Sequence, residues 1–223
     1  MAKVVSAESN GQETLSVPIL GVSLIAISRI AEETLSVPIL GVSPLIVNKF
    51  SSKAKRQMLD AAQGRRTPKE PKDPEAEYES CFYRLPNDRY GLPADAFKSA
   101  TVGAARFYGK QLSMTALKQF IFFRGEIGDD GRQMAEIIPG NIVMREDVVR
   151  VGRGGSDLRY RPEFWPWEAT LQVSYFTSSL TRESVLSLID AGGLAIGVGE
   201  WRPEKDGSFG TYRIDPDRDV EVL

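Results

Sequence analysis

The sequence predicts an α+β fold whose core runs strand, helix, strand, strand, helix, strand. Three observations predict it. Apolar residues alternate at period two in "ETLSVPILGVS", "WEATLQVSYF" and "TYRI". They recur near helical spacing in "ADAFKSATVGAARFYG" and "TRESVLSLIDAGG". Turn signals such as "GDDGR" punctuate the chain between them. Taken in order, these segments give the βαββαβ pattern of the ferredoxin-like fold, an antiparallel sheet with two helices on one face. A basic loop, a β-hairpin and a C-terminal glycine-rich loop are insertions on that core.

The first strand is present twice. "ETLSVPILGVS" occurs as Glu13–Ser23 and again, letter for letter, as Glu33–Ser43, and the likeness fades through Ser28-Arg29-Ile30 and Asn48-Lys49-Phe50. Such fading is the mark of a tandem duplication. The second copy runs on through "PLIVNKF" into the rest of the chain, so it is assigned to the core. Residues 1–32 are then an arm carrying a spare strand, 33–215 a single domain, and 216–223 a tail. Pro18 and Pro38 withhold a ladder hydrogen bond, which predicts an edge, a bulge or a strand start.

"SSKAKRQMLDAAQ" is rich in helix formers and stops at Gly64, whereas "RRTPKEPKDPEAEYES" mixes proline with charge and reads as an exposed extended loop. These lie in an inserted region spanning 49–90. The helix "ADAFKSATVGAARFYG" follows the turn "NDRYGLP". "FIFFRGEI" and "QMAEIIPG" flank "GDDGR" as a hairpin, and "VVRVGRGGSDLRYRP" reads as a long Arg/Gly loop, the two forming an insertion over 128–166. After the strand "WEATLQVSYF", Thr181 is the N-cap of the last helix and Gly192 or Gly193 its stop.

Composition narrows the chemistry. The chain has 223 residues, a single cysteine and no histidine. One cysteine cannot form an internal disulfide, which fits a reduced, cytoplasmic setting. Lacking histidine, the chain has no Ser-His or Cys-His nucleophile and lacks the commonest metal ligand. No metal, no cofactor and no enzymatic activity are therefore expected. The acids Asp73, Glu75, Glu77 and Glu79 form a solvated charge run. The apolar run from Leu15 to Ile27 contains Pro18 and Gly21 and is too short for a bilayer, so no membrane association is expected.

Net charge is −2, yet between Lys49 and Lys72 eight basic residues face two acidic ones. That local block is an electrostatic footprint for phosphate. Glycine is also concentrated: Gly192, Gly193, Gly197, Gly199, Gly207 and Gly210 fall within nineteen residues. They do not make a dinucleotide fingerprint, because Arg202 stands where the third glycine belongs and the run follows a helix. Nor is Gly103–Lys110 a P-loop, since its spacing is wrong and Gln111 replaces the required hydroxyl.

The helix entry "LPADAFKSATVGAAR" and the loop "GVGEWRPEKDGSFGTYRI" before the last strand together resemble the RAMP superfamily, the ferredoxin-like RNA-binding proteins of CRISPR effector complexes, and in particular their backbone subunits. The chain also resembles proteins encoded by bacteriophages and prophages. Two departures stand out: Ala94-Asp95-Ala96 replaces the family's glycine and serines, although Lys98 matches its lysine, and "EWRPEKD" splits the glycine loop. The resemblance implies a partner, single-stranded RNA or DNA, and a homo-oligomer stacking along it as a filament.

On that reading Lys49, Lys53, Lys55, Arg56, Arg65, Arg66, Lys98, Arg106, Arg150, Arg153, Arg159 and Arg161 meet phosphates. Trp201, Arg202 and Lys205 stand at the tip of the glycine loop, and Tyr160, Phe164, Trp165, Trp167 and Tyr212 join Trp201 as candidates for base stacking. The alternative is a phage structural protein that forms a homopolymer by strand exchange, without nucleic acid. A metal-dependent nuclease built on carboxylates and arginine ranks behind both.

Overall fold

The computed structural model describes residues 14–17, 25–28, 31–50, 52–65, 71–151 and 155–223. Of the first copy of the repeat, Thr14–Val17 is a strand, β1, paired antiparallel with β2 (Ile25–Ser28) as a two-stranded ribbon. The rest of that copy lies outside the described residues. The second copy is β3 (Glu32–Gly41), followed by the short β4 (Leu45–Ile46).

Two helices come next, α1 (Ser52–Ala62) and α2 (Pro74–Ser80). The strand β5 (Tyr90–Pro93) leads without a break into α3 (Ala94–Ala104), and α4 (Met114–Phe120) into β6 (Ile121–Arg124). The strands β7 (Glu126–Ile127), β8 (Gln133–Pro139), β9 (Ile142–Val151), β10 (Gly155–Phe164) and β11 (Trp167–Phe176) follow. The chain closes with α5 (Arg182–Ala195), β12 (Tyr212–Ile214) and β13 (Glu221–Val222).

The architecture is α+β with antiparallel sheets. In the larger sheet the order is β12, β3, β11, β8, β5, and every pairing is antiparallel. Opposite β11, one strand is made of two pieces: β6 pairs with Phe176's end at Ile121↔Tyr175, and β8 takes over at Ile137↔Ala169. Between them the chain leaves as a hairpin in which β7 pairs with β8, closed by the Gly128 amide on the Arg132 carbonyl at 2.9 Å. The predicted hairpin is therefore present but begins at Glu126, because β6 is committed to β11 instead.

Alternation puts Leu35, Val37 and Ile39 of β3 and Leu171 and Val173 of β11 on one face, all at most 1% exposed. Against that face lie α3, with Phe97 and Ala100, and α5, with Val185, Leu188 and Ile189, in one core cluster. Burying side chains of this size is the main stabilising term, on the order of 1.5–3 kcal/mol each.

Four expectations are corrected here. Pro38 sits in a central strand, not at an edge. Its missing N–H falls in the gap between β12 and β13, where the Asp215 amide donates to the Pro38 carbonyl at 2.9 Å and nothing is required in return. The Arg/Gly stretch is not a loop: β9 and β10 pair over ten residues each, and β4 adds to β10. The second half of the charged stretch is helical, because Asp73 accepts from the Glu75 and Ala76 amides at 3.1 Å and Pro74 opens the first turn.

Finally, α5 runs through Gly192 and Gly193 and stops where the Gly197 amide meets the Gly192 carbonyl at 2.9 Å. The paired glycines serve close approach. A Cβ on Gly192 would lie 2.7 Å from the Ala100 backbone of α3, and one on Gly193 2.2 Å from the Tyr212 carbonyl of β12. The N-cap, Thr181, is as expected, accepting from the Ser184 amide.

Candidate nucleic-acid interface

The two segments that carry the family resemblance meet in space. The first two turns of α3 contribute Asp95, Ala96 and Ser99, and the glycine loop contributes Gly197, Val198, Gly199, Arg202 and Glu204, to one cleft of about 290 Å³. A second hollow of about 370 Å³ is lined by Asp95, Lys98, Phe122, Phe123, Arg132 and Gln133. Asp95 and Arg132 line both, so the two run together as a groove at the start of α3.

Pro93 precedes α3 and provides no side-chain cap. The first-turn amides of this eleven-residue helix therefore lack an internal partner, and they carry the positive end of its dipole.

The glycine loop is held in a fixed path by backbone hydrogen bonds to β4 and its flank. The Glu200 amide donates to the Ile46 carbonyl at 2.9 Å, the Gly210 amide to Pro44 at 2.8 Å, and the Val198 amide to Gly210 at 2.9 Å. Gly199 has φ of +74°, and a Cβ there would stand 2.5 Å from the Ile46 carbonyl. At Gly207 a Cβ would overlap the Trp201 carbonyl, 1.7 Å away. These two positions exclude side chains for different reasons, backbone conformation and sheer proximity.

The cations in the groove, Lys98, Arg132 and Arg202, and Arg106 beside it are positioned unequally. Arg202 donates to Glu204 at 2.8 Å and to the Gly199 carbonyl at 3.1 Å, and Arg106 reaches Glu204 at 3.7 Å and the Gly103 carbonyl at 3.0 Å. Arg132 is bound to Asp130 at 2.5 Å. Burial raises the Asp130 carboxyl, but hydrogen bonds from the Arg132 side chain and amide outweigh it and hold the group below its ordinary value. Lys98 differs: its ammonium lies 5.0 Å from the centre of the Phe122 ring, with no carboxylate in salt-bridge range among the described residues.

Behind the glycine loop stands a buried charge network that anchors it to the β9–β10 hairpin. Arg161 is 1% exposed, donates to Asp147 at 2.7 Å and Glu200 at 3.4 Å, and its guanidinium carbon lies 4.8 Å from the Trp201 ring centre. Arg145 bonds Asp147 at 2.8 Å and Glu163 at 2.7 Å and approaches Trp201 and Phe209 within 5.2 and 4.9 Å. Trp201, at φ +50°, is thus engaged from within.

The structure places the other predicted residues apart from the groove. Lys49 is bound to Asp129 and lies 5.9 Å from the Tyr83 ring centre. Lys55, Arg56 and Arg65 are exposed on α1 and just past it, and Lys53 is on the same helix. Arg66, Arg153 and the Lys53 side chain lie outside the described residues. Arg150 is exposed near the end of β9, and Arg159 stands 3.8 Å from Asp157. Lys205 is exposed in the turn Pro203–Lys205. Of the aromatic candidates, Phe164, Trp167 and Tyr212 belong to the core, with the Trp167 indole donating to the Ser43 carbonyl at 2.9 Å. Tyr160 is half-buried, while Trp165 is exposed.

Arg132, Arg145 and Glu200 escaped the sequence reading. Only Arg145 had a signal: opposite charges two apart in "REDVVR" and "RYRPE" mark same-face partners on paired strands.

Among the described residues no cluster of three or more acidic or cysteine side chains is placed to hold a metal, and no helix is long and apolar enough to cross a membrane. The Cys81 thiol is buried, and burial with the nearby Glu77 charge pushes it up to about 11.

No family model matches the chain, and no curated protein matches it. Among solved structures it is similar to a chain in the cryo-EM structure of the Type III-B Cmr-beta bound to cognate target RNA. The identity is 11% over 86% of this chain and 61% of that one, with a TM-score of 0.47.

Proposed function

We propose that this protein binds single-stranded nucleic acid, with a RAMP-like, ferredoxin-like core, and acts by binding and not by catalysis. The observation that carries the reading is the groove: the helix entry at Leu92–Arg106 and the glycine loop at Gly197–Gly210, far apart in sequence, line one cleft. The core supports it, since a strand order of β12, β3, β11 and then the β6/β8 pair, with α3 and α5 on one face, is the order a ferredoxin-like sheet adopts.

In this reading phosphate oxygens accept from the uncapped amides of α3 and from the ordered loop backbone, while Lys98 and Arg132 supply positive charge. Contacts of this kind carry no base identity, so sequence preference is weak. Copies stacking along one strand give the homo-oligomer.

Fluorescence anisotropy of a labelled single-stranded RNA tests the reading. Binding should be present at about 50 mM salt and fall steeply by about 200 mM. Lys98→Glu with Arg132→Glu should abolish most of it, and no binding at the lower salt refutes the reading.

A further inference from the structure

The chain carries two candidates for one slot. The slot is the one filled by β3 and β4, walled by β11 on one side, β12 and β13 on the other, and β10 beside β4. Its demands are specific. Leu35, Val37 and Ile39 enter the core without any exposure. Position 41 must be glycine, because the Trp167 indole lies 2.2 Å from where a Cβ would stand. Position 43 must carry a hydroxyl, which accepts from the Thr211 amide at 3.0 Å and bonds its hydroxyl at 2.8 Å. Position 33 must carry a carboxylate for Arg182, at 2.9 Å, and Tyr175.

Residues 13–23 meet every one of these demands, since they are identical to 33–43. The match at an offset of twenty continues beyond them. Ile25, Ala26 and Ile27 stand where Leu45, Ile46 and Val47 are buried, and Arg29 stands where Lys49 pairs with Asp129.

We propose that residues 13–30 are a second, competent occupant of the β3–β4 slot of their own chain, so that the protein has two folded registers offset by twenty residues. In the shifted register residue 30 stands where Phe50 does, and residues 31–50 become a loop whose ends are neighbours. Closure of such a loop costs little more than closure of a short one. The displaced copy also has a place to go. The ribbon pairs Thr14–Val17 with Ile25–Ser28, and Thr34–Val37 has the same four residues, with Leu45–Asn48 supplying the same apolar pattern opposite.

One residue biases the choice. Ile46 is fully buried, and Ala26 in its place leaves a cavity, so the register seen in the structure is the favoured one.

Thermal melts by circular dichroism, with size-exclusion chromatography, on four full-length variants test this. Val37→Asp puts a charge in the core of the resident strand, so it should retain a cooperative transition through the spare copy, with Tm lowered by roughly 10 °C. Val17→Asp should melt like the parent, V17D/V37D should lose the transition, and A26I/V37D should recover most of the lost Tm. The proposal is overturned if V37D loses its transition as completely as the double variant, or if both fold alike. It is also overturned if V37D folds only as an oligomer, since the replacement strand then comes from a second copy.

Discussion

The basic segment around α1 and the groove at the start of α3 hold their cations in opposite ways. The first concentrates charge in sequence, yet Lys55, Arg56 and Arg65 stand exposed on one short helix and just past it. The second has few cations, but each is set by something else: Arg202 by Glu204, Arg132 by Asp130, and Lys98 by the Phe122 ring. Free lysines and arginines lose side-chain entropy when they bind, while positioned ones have lost it already. Charge density is visible in a sequence, whereas preorganisation is visible only once the chain has folded.

The comparison breaks first if the groove's support is removed. Arg161→Ala leaves the buried Asp147 with Arg145 as its one charged partner and empties a space the size of a buried arginine, which should cost about 3 kcal/mol and lower the melting temperature by roughly 10 °C. The same variant should release the glycine loop, so RNA affinity measured below the melt should fall as well. A next smaller effect is expected at Gly199→Val, where φ of +74° and the Ile46 carbonyl both oppose a side chain. Affinity should drop at least tenfold, and Tm should fall by roughly 5 °C.

Lys98→Glu alone should weaken binding roughly tenfold and reduce the salt slope by about one. Lys55, Arg56 and Arg65 changed together to Glu should cost only about twofold to threefold at moderate salt. If the α1 variant loses more than the Lys98 variant, density outweighs positioning and the comparison is reversed.

The smallest effect concerns pH. Hydrogen bonds from Arg182 and then Tyr175 hold the Glu33 carboxyl below its ordinary value. Its contribution is complete above the unfolded-state value and disappears as pH falls through the folded one, so Tm should decline on acidification, less so in Glu33→Gln. Burial, with Glu33 nearby, pushes the Tyr175 phenol up to about 12, so stability should also fall as pH rises from about 10 towards that value.

Much of the fold was legible because period two and helical spacing survive insertion. Leu35, Val37 and Ile39 alternate inward as read, and Thr181 caps α5 as read. What the letters concealed was context. Gly192 and Gly193 look like a helix stop, but they are contact surfaces for α3 and β12. Pro38 looks like an edge residue, but a gap in the neighbouring strand accommodates it. The β9–β10 hairpin was obscured by its arginines and glycines, although Leu158, Tyr160, Pro162 and Phe164 alternate with Arg159, Arg161 and Glu163. Of the residues that line the groove, Lys98, Arg202, Gly197 and Gly199 were singled out in the sequence, whereas Arg132 was not, because it becomes a neighbour of α3 only through the β7–β8 turn.

The central claim is that nucleic acid lies in the groove and not along α1. A photo-crosslinking residue placed at Ser99, exposed in the groove, and separately at Met58, exposed on α1, tests it directly. Irradiation with labelled single-stranded RNA should transfer label strongly at position 99 and weakly at position 58. Transfer at position 58 with none at position 99 would contradict the account.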